Sequence, residues 1–174
     1  EKEYKRRIKS LRSYTNIIRG GLVMVEVTMV NNMEEFLEYN QIINLCLDQM
    51  EHIGSPKTNI QIMDVFKLAF SSKMSKLMVI SEMSNPIGFA FFNVSIGMES
   101  LGKYIWLNEM HIHSKYRGEG YGSILFEGIR NWCKDNEIHR IMGMIEETEE
   151  RTLSFYKKQG CDIYQEKVFS TYDI

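Results

Sequence analysis

The sequence is poor in the features that divide, anchor or staple a polypeptide. Only two prolines, Pro56 and Pro86, occur in 174 residues, and no Gly/Ser-rich or charge-blocked linker interrupts the chain. One domain with a sizeable core is therefore expected. No apolar run approaches the roughly 20 residues that a membrane-spanning helix needs, so no membrane partner is expected. A basic surplus is also missing: the formal net charge is −2, which argues against a dedicated nucleic-acid binder. The three cysteines, Cys46, Cys133 and Cys161, are odd in number and far apart. Without a C-x-x-C pair they point to separate thiols in a reducing compartment, hence to a cytoplasmic protein. No internal repeat is visible.

What is present is ordinary in bulk, with 44% hydrophobic and 25% charged residues. One asymmetry stands out at the start, where Lys2, Lys5, Arg6, Arg7, Lys9, Arg12 and Arg19 crowd together. A transit peptide would be acid-poor, yet Glu1 and Glu3 head this segment. A solvated, helical, basic extension over residues 1–21 is expected, ahead of a domain over 22–174.

Along that domain the hydrophobic period changes several times. Leu22–Val30 is a β-branched run. Asn31 and Asn32 offer a helix N-cap, and Phe36, Leu37, Ile43, Leu47 and Met50 then recur near the helical period, predicting one helix over Met33–Met50. Thr58 caps a second amphipathic stretch with Ile62, Val65, Phe66 and Ala69 on one face. Three strand-like runs follow, KLMVIS, IGFAFFNVSI and KYIWLNEMHIH, joined by short turns as in an antiparallel meander. Leu125, Ile129, Trp132 and Cys133 mark a further helix. HRIMGMI reads as a strand, Glu149–Gln159 as a helix ended by Gly160, and KVFSTYD as a last strand. The order implies an α/β or α+β sandwich.

The segment Ile112–Leu125, IHSKYRGEGYGSIL, carries the chemistry. It joins the end of a strand to the start of a helix. Gly118, Gly120 and Gly122 alternate with other residues, so the backbone can take positive φ and approach a ligand closely. Successive N–H groups at a helix N-terminus favour an anion, and Arg117 adds a fixed positive charge. These are the parts of a diphosphate cradle. A P-loop would require Gly-Lys-Ser/Thr, but Gly122-Ser123 is followed by Ile124. A Rossmann fingerprint would require an early βαβ unit and glycine in place of Ser123.

The pattern resembles the GNAT N-acetyltransferase superfamily, whose pyrophosphate motif is Q/R-x-x-G-x-G/A after a strand. Ile112, Arg117, Gly120 and Gly122 stand at its positions, and YKKQGC (Tyr156–Cys161) looks like the family's later Y-x-K-x-G-F element. The likeness covers roughly residues 22–174. It implies an α/β (α+β) fold with a mixed, mostly antiparallel central sheet flanked by helices, and a splayed parallel strand pair forming the acetyl-CoA cleft. It implies acetyl-CoA as co-substrate, with no metal, and an amine acceptor. The strand end His111, Ile112 and His113 would hold the pantetheine arm. Arg117, Gly118, Glu119, Gly120, Tyr121, Gly122 and Ser123 would hold the pyrophosphate. Tyr156 would protonate the leaving thiolate. Paired subunits are common in the family, which leaves a homodimer open. Two positions depart from the pattern: Glu149 stands where asparagine is frequent, and Cys161 where phenylalanine is usual.

Acetyl transfer to an amine also needs a base, because a lysine-like amine has a pKa of about 10.4. Glu109 is the best candidate. Simple alternation puts it on one strand face with Leu107 and His111, and a bulge would change that. A rim carboxylate exposed to solvent is an equal account, with His111 or a water relay as other routes for the proton. His111 and His113 share a strand face, but a zinc site needs further ligands, and neither His52, His139 nor the cysteines are spaced to supply them. The acidic run Glu146, Glu147, Glu149 and Glu150 complements a helix dipole and would also attract a cationic amine. Transfer to a primary amine by direct attack in a ternary complex is thus expected. The alternative is a module that holds acyl-CoA as a sensor or scaffold without turnover.

Overall fold

The computed structural model describes residues 11–18, 21–39, 41–165, 167, 170 and 171. The chain divides into two compact units, Glu1–Gly143 and Met144–Ile174. The first contains β1 (Leu11–Ile18), β2 (Gly21–Val30), α1 (Met33–Glu38), α2 (Ile42–His52), α3 (Asn59–Ser71), β3 (Ser75–Glu82), β4 (Asn85–Gly97), β5 (Gly102–Ile112), α4 (Tyr121–Asp135) and β6 (Arg140–Gly143). The second contains α5 (Glu150–Lys158).

The six strands form one sheet in sequence order. Every neighbouring pair from β1 to β5 is antiparallel, and β5 with β6 is parallel. Antiparallel neighbours need only short turns, whereas a parallel pair needs a crossover, here α4. The expected meander and late crossover are both present. The parallel ladder runs from Tyr104–Arg140 to Leu107–Gly143, while β5 continues to Ile112. Beyond Leu107 the parallel pair therefore ends.

Alternation along the strands sends side chains to two cores. Val30, Leu77, Val79 and Phe89 pack with Phe36, Ile42, Leu45, Ile62 and Phe66 of α1–α3. Phe66 also meets Phe91 edge-on at 5.5 Å. The other face receives α4, where Trp132 packs on Phe92 at 5.3 Å. A Cβ on Gly128 would lie 2.8 Å from Val27 Cγ1 and 3.3 Å from Met78 Sδ, so this glycine sets how closely α4 approaches the sheet.

Three expectations are corrected. The basic start does not continue as a helix, because Leu11–Ile18 pairs with β2 from Leu11–Thr28 to Ile18–Gly21. Most of its charge precedes residue 11, and LRSYTNII itself is rich in aromatic and β-branched residues that favour strands. Second, the single helix over Met33–Met50 is two helices, with Tyr39 leaving helical geometry at φ −91°, ψ 80°. Six residues advance about 240° around a helix, so an unbroken one could not aim both Phe36 and Ile42 at the sheet. Third, Val65 is exposed while Ile62, Phe66 and Ala69 are buried. The Thr58 cap is present as a capping box with Gln61. The expected last strand, Lys167–Asp173, includes residues outside those described.

Candidate active site

β5 ends at Ile112, and His113 N–H donates to Ile87 O on β4 at 2.9 Å. A single 3₁₀ turn, Ser114–Tyr116, follows with the His113 ring as its cap, accepting from Lys115 N at 3.2 Å. Arg117 then folds back, its Nε donating to Ile112 O at 2.8 Å. That bond fixes the guanidinium at the end of β5. Gly118 and Gly120 have φ of +87° and +90°, and nothing lies within 4 Å of a Cβ built on either. Gly120 is the N-cap of α4 and provides no side-chain cap. Open space, left-handed backbone and a fifteen-residue helix starting behind it suit a bound anion. These residues fit the pyrophosphate cradle expected over Arg117–Ser123, with Gly122 and Ser123 in the first turn of α4.

The Tyr121 side chain departs from that expectation. It is 1% exposed and donates its hydroxyl to Glu82 on β3, so it ties the helix start to the sheet. Tyr116 stacks on it edge-on at 5.9 Å. Glu119 lies between the two left-handed glycines.

Glu109 and His111 form a second polar centre. The β4–β5 register slips between Phe91–Glu109 and Phe92–Leu107, leaving Asn108 as an extra residue in β5. This bulge inverts the alternation. Leu107 consequently lies opposite Phe92, on the α4 face, whereas Glu109 and His111 lie opposite Phe91 and Phe89, on the face of α1–α3. The expectation that Glu109 shares a face with His111 holds, and the one that it shares a face with Leu107 does not.

A residue that the motifs did not flag joins the two. Gln49 of α2 donates from Nε2 to Glu109 Oε2 at 2.7 Å, and its Oε1 lies 2.8 Å from His111 Nδ1. Gln49 is 8% exposed and His111 3% exposed. A signal was available: Ile42, Leu45, Cys46 and Gln49 follow the i, i+3, i+4, i+7 stripe of a buried helix face, and an amide on such a stripe demands partners. Burial raises the Glu109 pKa, with the Gln49 hydrogen bond acting against it. Burial, then the Arg117 charge, lowers His111 to about 4, so its ring is neutral near pH 7. His113 sits nearby against Asp48, 3.7 Å from Nε2 to Oδ2.

Other candidates are placed more simply. Burial raises the thiol pKa of Cys46, and of Cys133 to about 11, holding both protonated. Among the described residues no group of three or more His, Cys, Asp or Glu could hold a metal ion, and no helix is long and apolar enough to cross a membrane. In the second unit, Tyr156 lies half-buried on α5 beside Phe155, ring centroids 5.1 Å apart. Cys161 N–H donates to Tyr156 O at the helix end, and Gly160 takes the left-handed turn. Glu149 is the N-cap position of α5 and makes no side-chain cap bond.

A mixed sheet whose fifth strand runs into a glycine loop at a helix start is the arrangement that the resemblance to GNAT acetyltransferases implies. The sequence model described as Acetyltransferase (GNAT) family matches residues 40–161, and the chain belongs to that family. No curated protein matches the sequence significantly. Solved structures share the fold at low identity. The aminoglycoside N-acetyltransferase AAC(6')-Iy in complex with CoA aligns at TM-score 0.73 and 8% identity, over 87% of this chain and 97% of its own. A GNAT family acetyltransferase from Staphylococcus aureus aligns at 0.67 and 18% identity, over 85% and 98%. An integron cassette protein from V. cholerae aligns at 0.71 and 18% identity, over 86% and 92%.

Proposed function

We propose that the protein transfers the acetyl group of acetyl-CoA to a primary amine of a cationic acceptor, by direct attack in a ternary complex. The carrying observation is Glu109, a half-buried carboxylate held by Gln49 on the strand that leads into the glycine loop. Burial makes this carboxylate more basic than an exposed one. It takes a proton from the amine, whose nitrogen then bonds to the thioester carbon. The carbon–sulfur bond breaks, Tyr156 gives its phenolic proton to the departing sulfur, and CoA leaves as the free thiol. Arg117 and the N-terminus of α4 hold the pyrophosphate, and β5 beyond Leu107 lies along the pantetheine arm. Burial holds the Cys46 and Cys133 thiols protonated, so neither is an activated nucleophile for an acyl-cysteine route.

Support for a cationic acceptor comes from the exposed carboxylates Glu146, Glu147 and Glu150 around the start of α5. Such a cluster raises the local concentration of a polyamine, an aminosugar or a lysine side chain. Two structural neighbours are an aminoglycoside acetyltransferase solved with trehalose and with sisomicin; likeness at that identity concerns the fold. The deciding experiment is CoA release and acceptor mass gain over an amine panel with the purified protein. Cationic primary amines should gain one acetyl group, less efficiently as salt rises. Tight acetyl-CoA binding with no CoA release from any amine would sink the proposal in favour of a binding module.

A further inference from the structure

We propose that Gln49 is the positioning residue of this site: its amide orients Glu109 and, through its other end, fixes the tautomer of His111. The inference rests on the assignment of Glu109 as the base. A side-chain amide has one donating and one accepting end, and here both are used, Nε2–H to Glu109 Oε2 at 2.7 Å and Oε1 from His111 Nδ1 at 2.8 Å. An amide oxygen cannot donate, so the proton between the pair belongs to His111 Nδ1. In the neutral ring the lone pair then sits on Nε2, which is buried and has no hydrogen-bond partner among the described residues.

The orientation runs in one direction. An ionised Glu109 can only accept, which turns the Gln49 NH₂ toward it and the carbonyl toward His111. Protonation of Glu109 removes that preference. Gln49, on α2, thus couples the charge of one β5 residue to the ring state of another two positions further along the strand.

Other titratable groups around the pair are few. From α2 come Cys46, Asp48 and His52, while His113 and Arg117 follow β5. The opposed β4 positions are Phe89 and Phe91. Cys46 is held protonated, so Gln49 is the one side chain shown to hydrogen-bond the Glu109 carboxylate among the described residues.

The first test needs no variant and no acceptor. Long-range ¹⁵N–¹H correlation spectra of the wild-type protein near neutral pH should show His111 protonated at Nδ1 and bare at Nε2. A proton on Nε2 instead would overturn the proposal. The second test is the pH profile of kcat/KM. Gln49→Met keeps the volume but removes the hydrogen bond to the carboxylate, and should move the acid limb upward by roughly one to two pH units, without a matching rise in KM for acetyl-CoA. Gln49→Glu keeps an acceptor for His111 but sets a second carboxylate against Glu109, and should move the limb further. A uniform loss of activity at every pH, with the limb unmoved, would overturn the positioning role. If Glu109→Gln retained the wild-type acid limb, the base assignment would fall, while the spectrum would still decide whether Gln49 sets the tautomer.

Discussion

The glycine loop after β5 and the polar patch between α2 and β5 lie on adjoining stretches of chain, yet they are built by opposite means. The loop works through backbone. Its conformation comes from Gly118 and Gly120 at positive φ, its direction from α4, and an anchored charge from Arg117. The patch works through side chains, with Gln49, Glu109 and His111 held by two hydrogen bonds of 2.7 and 2.8 Å. A backbone cradle must be contiguous, because neighbouring N–H groups make it. A side-chain patch needs only that the fold bring distant residues to one face.

If this division is correct, changes in the patch should alter turnover and changes in the loop should alter cofactor affinity. The largest effect is expected for Glu109→Gln, which should lower kcat by roughly 10²- to 10⁴-fold while changing the acetyl-CoA Kd far less. Turnover near wild type would remove Glu109 from the chemistry and leave the patch structural. Next, Tyr156→Phe should reduce kcat by on the order of ten- to a thousandfold, read at saturating substrates. Unchanged turnover there would assign protonation of the leaving thiolate to another donor.

The third expectation concerns stability. His111 is held at about 4 against an ordinary 6.5, so the unfolded state binds the extra proton first as pH falls. The stability it confers is complete above the ordinary histidine value and declines between about pH 6.5 and about 4, by roughly 3 kcal/mol in all. Denaturant titrations over that range should show the decline, and His111→Leu should flatten it. Glu109, with its raised pKa, acts with the opposite sign. The smallest effect belongs to the loop. Gly120→Ala imposes a side chain on a left-handed backbone, at about 1–2 kcal/mol, and should weaken acetyl-CoA binding roughly tenfold by calorimetry. A larger effect on kcat than on Kd would erase the division between loop and patch.

The same contrast explains how much was legible in the sequence. The meander, the Thr58 capping box, α4 and the loop all depend on residues close together in the chain, and each is found where periodicity and turn chemistry put it. Four features escaped because they depend on distant partners or on averaging. β1 was hidden by a charge count taken over nineteen residues, although its own eight carry strand-forming side chains. The break at Tyr39 follows from where the sheet lies. The bulge at Asn108 leaves no mark that alternation alone can detect. Gln49 is one polar residue on an otherwise apolar helix stripe, and its partners are far along the chain.

That bulge has a consequence for how such a site can arise. Because strand side chains alternate, the additional residue in β5 lets Leu107 and Glu109, two positions apart, face opposite sides of the sheet. Without Asn108, Leu107 and Glu109 would be neighbours in a regular ladder, still opposite Phe92 and Phe91, and Glu109 and His111 would keep the face of α1–α3. A single-codon insertion or deletion at this point can therefore be taken up by the bulge, while the sheet, its order and the facing of Glu109 and His111 keep their plan.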